Sequence, residues 1–489
     1  MSKPTSRLGA LLVLGVAAHA AAEPPLPVAP PLPLTVATDM DAAALAARRP
    51  VLLKEALLLA EKKNPDLAAA RATAAQIAAK ASLVYSALLP EVSASASYVY
   101  TTAPAVFDQS GQTQLFTLLT QYSTIPEPTK SQILSGLAGT PAVMEIQKAN
   151  SLFGNLIVTQ VLFTPQLFLL PAAGEAEDAA NFGALEAREQ VLLAVAKVYL
   201  GLEGLADIAA AAKDAEAIAQ RREKDAAAQV QLGTATDIAV LRAQQELAQS
   251  RALLSSIAGQ RVALLSLLET MVGEPVRPLE GRPTHYDVTP ADEASEPWEK
   301  TFAVQAAAMA LKSQERFNTF DRLSWLPTVV AQAKGSYNSN KGFVNTNWIF
   351  DGIIAAQWTL YDRGVRDVNR RENDAKTVEY RAKLEAARQR ARANWVSAKT
   401  NLVTAQVTLE QAEATERLAT RAQKQAEAAF QVGFSTGLEV SEIDSRRFLA
   451  ASNAAQARVQ MQVRKVEMLA AEGRLAEVVG VGTDTNPAK

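Results

Sequence analysis

Side chains able to do acid–base or nucleophilic chemistry are scarce here in the combinations that such chemistry needs. Histidine occurs twice, as His19 and His285, and cysteine is absent from all 489 residues. A Ser–His–Asp relay needs an imidazole oriented by a carboxylate, and zinc sites gather His and Cys. His19 falls in a leader segment and His285 stands alone in Pro283-Thr284-His285-Tyr286-Asp287, so neither arrangement can be built. The chain is therefore read as a non-enzyme, with no catalytic residue, cofactor or metal. Without thiols there is no disulfide and no cysteine for lipid attachment. Lysine plus arginine total 49 against 51 acidic residues, a net charge of −2, and basic residues do not interleave with aromatics. Nucleic acid is accordingly not an expected partner. What remains is turn chemistry. Gly233 and Gly433, free of Cβ, can reverse the backbone. Thr236 and Thr436 just beyond them can cap returning helices, and Asp362 in Tyr361-Asp362-Arg363-Gly364 can accept from amides at a helix start.

These turns must be carried by long elements. Pro171 to Leu232 and Gly364 to Val432 read as helices, each roughly 90 to 100 Å long at 1.5 Å per residue. Apolar Val191, Leu192, Val195, Val198, Leu202, Leu205 and Ile208 recur at threes and fours, as packed helices require. Arg188, Glu189, Arg221, Arg222, Glu223 and Lys224 are expected to keep another side wet. A further helical pattern runs from about Val51 to Leu88.

Between helices the period changes to two. Val92, Ala94, Ala96, Tyr98 and Tyr100 alternate with Ser93, Ser95, Ser97 and Thr101. Val329, Ala331, Ala333 and Tyr337 alternate with Thr328, Gln332, Lys334, Ser336 and Asn338. Trp348, Phe350, Ile354, Ala356, Trp358 and Leu360 lie opposite Asp351, Gln357 and Thr359, whereas Asn155 to Thr164 alternates poorly. Four strands cannot shield their own edges. In lipid a sheet must close, and single-chain barrels start at about eight strands. A barrel shared between chains follows, with three chains of four strands supplying twelve, and Tyr and Trp suited to the membrane–water boundaries.

The chain also repeats itself. Shifted by 200 residues, Arg221, Lys224, Ala226, Ala228, Gln231, Gly233, Thr236 and Val240 meet identical residues, eight matches between positions 221 and 240. Leu89-Pro90 corresponds to Leu326-Pro327, and Gln160 to Gln357. Pro90 and Gln160 are 70 residues apart but Pro327 and Gln357 only 30, which puts an extra segment, roughly Phe107 to Lys148, into the first strand-to-strand connection. Gly111-Gln112-Thr113-Gln114 and Pro126-Glu127-Pro128 suggest a partly structured surface excursion. The expected organisation is a signal peptide at 1–22 (Lys3 and Arg7, apolar Leu8 to Ala18, small residues at the cleavage point) and a proline-rich linker at 23–48. The first repeat then occupies 49–280, with strands near 91–101 and 155–164 and a tip near 233. An inter-repeat segment fills 281–297. The second repeat covers 298–475, with strands near 328–338 and 347–361 and a tip near 433, and a tail closes the chain at 476–489. No later stretch has the roughly 20 uninterrupted apolar residues of a membrane helix.

Taken together, the leader, the paired units, the alternating strands and the glycine-turned helices resemble the TolC-like outer-membrane efflux family, over roughly residues 49 to 475. The most specific segments are 232–241, 432–440 and Gln357-Trp358-Thr359-Leu360-Tyr361-Asp362-Arg363-Gly364. The resemblance implies a mainly α fold with a small transmembrane β component. In it a homotrimer shares a 12-stranded β-barrel in outer-membrane lipid and a long α-helical barrel in the periplasm. It further implies a passive exit duct in the outer membrane of a Gram-negative-type cell, joined by a periplasmic adaptor protein to an inner-membrane transporter. Gly233, Thr234, Ala235 and Thr236, with Gly433, Phe434, Ser435 and Thr436, would be the adaptor-facing tips, and Glu439 and Glu442 would ring the entrance constriction. The first unit has Ala239 where the second has Glu439. Phe430 and Ser435 stand where some members use tyrosine and arginine to hold the entrance shut, so those closing bonds are not expected. The alternative is a pore-less periplasmic coiled-coil scaffold or an adaptor subunit, although no lipoyl-like module flanks the hairpins.

Overall fold

A computed structural model of the chain describes residues 36–103, 105–108, 110–138, 143–233, 236–279, 286–340 and 346–476. The expected signal peptide, Thr234, Ala235, His285 and all but the first residue of the expected tail lie outside them. In chain order the elements are α1 (Val36–Ala46), β1 (Arg49–Val51), α2 (Leu53–Lys63), α3 (Pro65–Ser86), β2 (Glu91–Tyr100), β3 (Ala105–Asp108), α4 (Ser110–Gln121), α5 (Glu127–Ala138), β4 (Val143–Gln147) and β5 (Asn150–Phe163). There follow α6 (Leu170–Gln231), α7 (Asp237–Val272), β6 (Val276–Pro278), α8 (Phe302–Leu323), β7 (Thr328–Asn338), β8 (Trp348–Gln357), α9 (Val365–Gln431) and α10 (Gly437–Ala471). Helix, strand, strand, long helix and returning helix thus occur in the same order twice.

Several boundaries differ from the sequence reading for identifiable reasons. Helix α1 lies inside the segment expected to be linker, beyond its run of prolines. The pattern from Val51 to Leu88 is two helices, because Pro65 cannot continue the first and Asn64 starts the second by accepting from the Leu67 amide at 3.0 Å. Strand β5 begins at Asn150. It is central, paired to β2 on one side and β7 on the other, and its register shifts between Val161 and Phe163, which spoils alternation at that end. Strand β8 ends at Gln357, so Trp358 and Leu360 belong to the turn that follows.

Strands β2, β5, β7 and β8 form one antiparallel sheet in that order. A small parallel pair, β1 with β6, sits midway along the helices. Around it lies the main core. Leu53, Ala56, Leu57 and Ala60 of α2, spaced as one helical face, pack against Leu192, Val195 and Tyr199 of α6, Leu265 and Leu268 of α7 and Val466 of α10. Each buried Leu contributes about 1.5–3 kcal/mol. The Tyr199 hydroxyl donates to the Val51 carbonyl at 2.7 Å, fixing β1 to α6, and burial raises its pKa. Here the expected wet side of α6 is overturned in part: Arg188 and Glu189 are each only 5% exposed. The reason is that α2 and the C-terminal segment cover them, with Arg188 paired to Glu61 at 2.6 Å and Glu189 accepting from the Ala476 amide at 3.3 Å.

Helix α7 contains one 18-residue window of mean hydropathy 1.3, long and apolar enough by composition to cross a membrane. It packs along α6 instead, burying Ala243, Leu247, Ile257, Ala258, Leu265 and Leu268.

Candidate functional site

The chain places its unusual chemistry at two ends about 100 Å apart, the length that 67 helical residues span. At one end is the sheet. Strands of 10 to 14 residues reach across the roughly 30 Å of a hydrocarbon layer when tilted. Among the described residues neither edge strand, β2 or β8, has an outer neighbour, and every residue of both is exposed. Aromatic side chains gather at the two limits of the β7–β8 pair. Trp325 and Trp358 stand 6.0 Å apart at the helix end, with the Trp358 indole N–H donating to the Trp325 carbonyl at 2.9 Å. At the far end Tyr337 and Trp348 are 5.0 Å apart and Trp348 stacks on Phe350 at 6.2 Å. Tryptophan and tyrosine at both ends of a strand pair suit the two faces of a lipid layer, where one part of the ring is apolar and the other wet.

Sheet and helices are joined by Asp362, Gly364 and Gln160, of which the Asp362 cap was expected from the sequence. Asp362 accepts from the amides of Gly364 at 3.1 Å and Arg366 at 2.8 Å, and pairs with the Arg366 guanidinium at 3.3 Å. Gly364, at φ 82°, provides the left-handed turn into α9. Gln160 donates to the Leu88 carbonyl at 2.9 Å and so fastens β5 to the end of α3.

At the opposite end lie the two tips. Gly433, at φ 81°, ends α9. Its amide donates to the Phe430 carbonyl at 3.1 Å and that of Phe434 to Ala429 at 2.8 Å, the two bonds of a Schellman stop. Gly233, at φ 72°, ends α6 with the matching bond to Val230 at 3.0 Å. Behind the second tip Thr436 accepts from the Glu439 amide at 3.3 Å, while the Glu439 carboxylate accepts from the Thr436 amide and the Ser435 hydroxyl, both at 2.9 Å. This capping box holds the Glu439 carboxyl below its ordinary pKa, chiefly through the Thr436 amide. Glu442, one turn on, pairs with Arg446 at 2.6 Å. Thr236 of the first tip makes no side-chain cap bond. Phe434 is 90% exposed, and Leu232, Ile238, Leu241, Val432 and Leu438 are also exposed.

Sequence reasoning missed a polar cluster set back from the tips. Arg222 of α6 donates to Glu246 of α7 at 3.0 Å and to Asp444 of α10, and the Ser441 hydroxyl donates to Glu246 at 3.0 Å. Asp444 is buried, and burial lowers the Arg222 pKa against the pull of Glu246. Three helices from both hairpins are thus tied together. The available signal is positional: Arg222 lies 11 residues before Gly233 and Asp444 lies 11 after Gly433. Among the described residues no three His, Asp or Glu converge as metal ligands.

In comparisons with known proteins, the outer membrane efflux protein family matches residues 298–474, from just before α8 to just past α10. A sequence comparison with curated proteins finds no match. The fold is similar to that of the Campylobacter jejuni CmeC outer membrane channel, with a TM-score of 0.70 at 15% identity, covering 89% of this chain and 90% of that one. It is also similar to the Vibrio cholerae outer membrane protein VceC, with a TM-score of 0.67 at 15% identity over 86% and 96% of the two chains. The Neisseria gonorrhoeae MtrE outer membrane channel gives 0.65 at 16% identity over 86% and 89%. The outer membrane efflux protein match thus covers the second repeat, set inside a fold similar to that of outer membrane channels along most of the chain's length.

Proposed function

We propose that three copies of this chain form a passive exit duct, with a shared 12-stranded β-barrel in outer-membrane lipid and a helical tunnel through the periplasm. The observation that carries the reading is the pair of open sheet edges. An unpaired strand edge facing hydrocarbon leaves amides and carbonyls without partners, at several kcal/mol each. Pairing β2 of one copy with β8 of the next removes that cost all round the ring. The two helix–strand–strand–hairpin units act as copies of one duplicated unit, which the eight identities around the tips support. Transport energy comes from an inner-membrane transporter, reached through a periplasmic adaptor protein. The adaptor would grip the tips at Gly233 to Thr236 and Gly433 to Thr436, where exposed apolar side chains offer a docking surface.

Three copies of Glu439 and Glu442 at the entrance would favour cations. The low pKa of Glu439 supports a fixed negative charge there. Imaging of the purified, detergent-solubilised protein tests the assembly: three-fold particles with a helical extension of about 100 Å are expected, and a freely soluble folded monomer overturns it. Single-channel recording of Glu439→Gln and Glu442→Gln tests the entrance, where unchanged cation selectivity removes the acidic ring.

A further inference from the structure

Between β2 and β5 the chain makes an excursion, β3, α4, α5 and β4, at the end of the sheet far from the helices. Helix α4 is turned the wrong way round for an isolated surface helix. Leu115, Leu118, Leu119 and Tyr122, spaced i, i+3, i+4 and i+7, form one apolar stripe. All four are more than half exposed, Tyr122 at 83%. The covered side carries threonines instead: Thr120 is buried and Thr113 and Thr117 are partly so. Their polarity is met locally, since Thr117 donates to the Thr113 carbonyl and Thr120 to that of Phe116, both at 2.7 Å. The oily face points out and the polar face in.

We propose that this α4 stripe packs against a neighbouring copy of the chain at the outer rim of the barrel. The inference rests on the shared-barrel reading above. Three observations select a second copy as the occupant. First, the excursion springs from the Tyr100 end of β2, an open edge strand, and closure brings the Trp348 end of the neighbour's β8 beside it. The stripe is therefore carried by a connection that starts at the seam strand, at the same end of the sheet as exposed Trp348 and Phe350. Second, α4 and α5 have only 12 residues each. Helices this short are marginal without packing, so a partner surface supplies what their mutual contact does not. Third, no charged residue occurs between Asp108 and Glu127, and Lys130 is the only basic residue from 105 to 147. A helix lying on lipid headgroups needs a basic polar face, and this one has threonine and glutamine.

The full chain carrying p-benzoylphenylalanine in place of Leu119 is irradiated in outer membranes and after solubilisation, with Gln121 as the control position and particle mass measured in parallel. Covalent dimers and trimers from position 119, absent from position 121 and lost with Leu115→Ser/Leu118→Ser, are the expected result. An intact trimer that gives lipid adducts alone, or no product between copies, overturns the α4 interface and leaves the shared barrel standing. A monomer in the membrane overturns both.

Discussion

Replacing Gly204 with alanine tests how closely the two halves of the helical body approach each other. Gly204 of α6 is buried against α10, and a Cβ built there would overlap the Val459 Cγ2 methyl and stand 3.2 Å from Val459 Cβ. Valine in a helix has one strongly preferred rotamer, so the methyl cannot swing aside and the helices must part. Two effects oppose each other. Alanine favours helix over glycine by about 1 kcal/mol, while forcing a methyl into a filled contact costs about 1–3 kcal/mol. Because the obstacle is a stiff side chain, the upper part of that range applies, and Gly204→Ala should destabilise by about 1–2 kcal/mol. Val459→Ala alone removes two methyl groups and costs about 1.5 kcal/mol. Combined, the new methyl occupies the space the valine vacates. The double variant should therefore return close to the parent, with a coupling of about 2.5–3.5 kcal/mol that cancels the two single effects. Guanidinium unfolding of the detergent-solubilised protein, followed by loss of helical circular dichroism, measures all four species. Single-variant effects that simply add, within about 0.5 kcal/mol, would refute the claim that glycine is required for this helix approach.

Glu189 is buried, and desolvation raises its carboxyl to about 7 from an ordinary 4.5, against the lowering effect of the Ala476 amide. The native state keeps this proton where the unfolded chain has released it, so stability should fall as pH rises from 4.5 to about 7 and stay low above. Glu189→Gln, which can still accept from Ala476, should stabilise by up to about 3 kcal/mol at pH 8 and change little at pH 4; guanidinium midpoints at the two pH values check the sign. Arg222→Met strands Glu246 and Asp444 and should cost about 2–4 kcal/mol. Amide exchange should quicken at the ends of α6, α7 and α10, and adding Glu246→Gln and Asp444→Asn should recover most of the protection. Thr436→Ala loses the capping box and about 1 kcal/mol, with faster exchange at the Glu439 amide, whereas Thr236→Ala, which loses no side-chain cap bond, should cost well under half of that.

The parts of this molecule that can be read from sequence are those set by a local period or a special backbone. Alternation from Val92 to Tyr100 fixes a strand because every second side chain must face the same way, and Gly233 and Gly433 mark turns because their left-handed φ penalises any other residue. Asp362 is legible for the same reason, since its partners are the next few amides in the chain. The four-residue polar cluster is not, because its members come from α6, α7 and α10 and each one looks, within its own helix, like a solvated polar side chain. Arg188 and Glu189 show the same limit from the other side. They sit among exposed-looking charges on α6, and only the wrapping of α2 and the C-terminal segment makes them interior. Helix α4 extends the argument to surfaces. Its leucines have helical spacing in the sequence, but nothing local says that the threonine side is the one covered. Long-range contacts decide burial, and on the shared-barrel proposal part of it lies between copies, so that this chain's apolar faces and open edges would describe the assembly as much as the subunit.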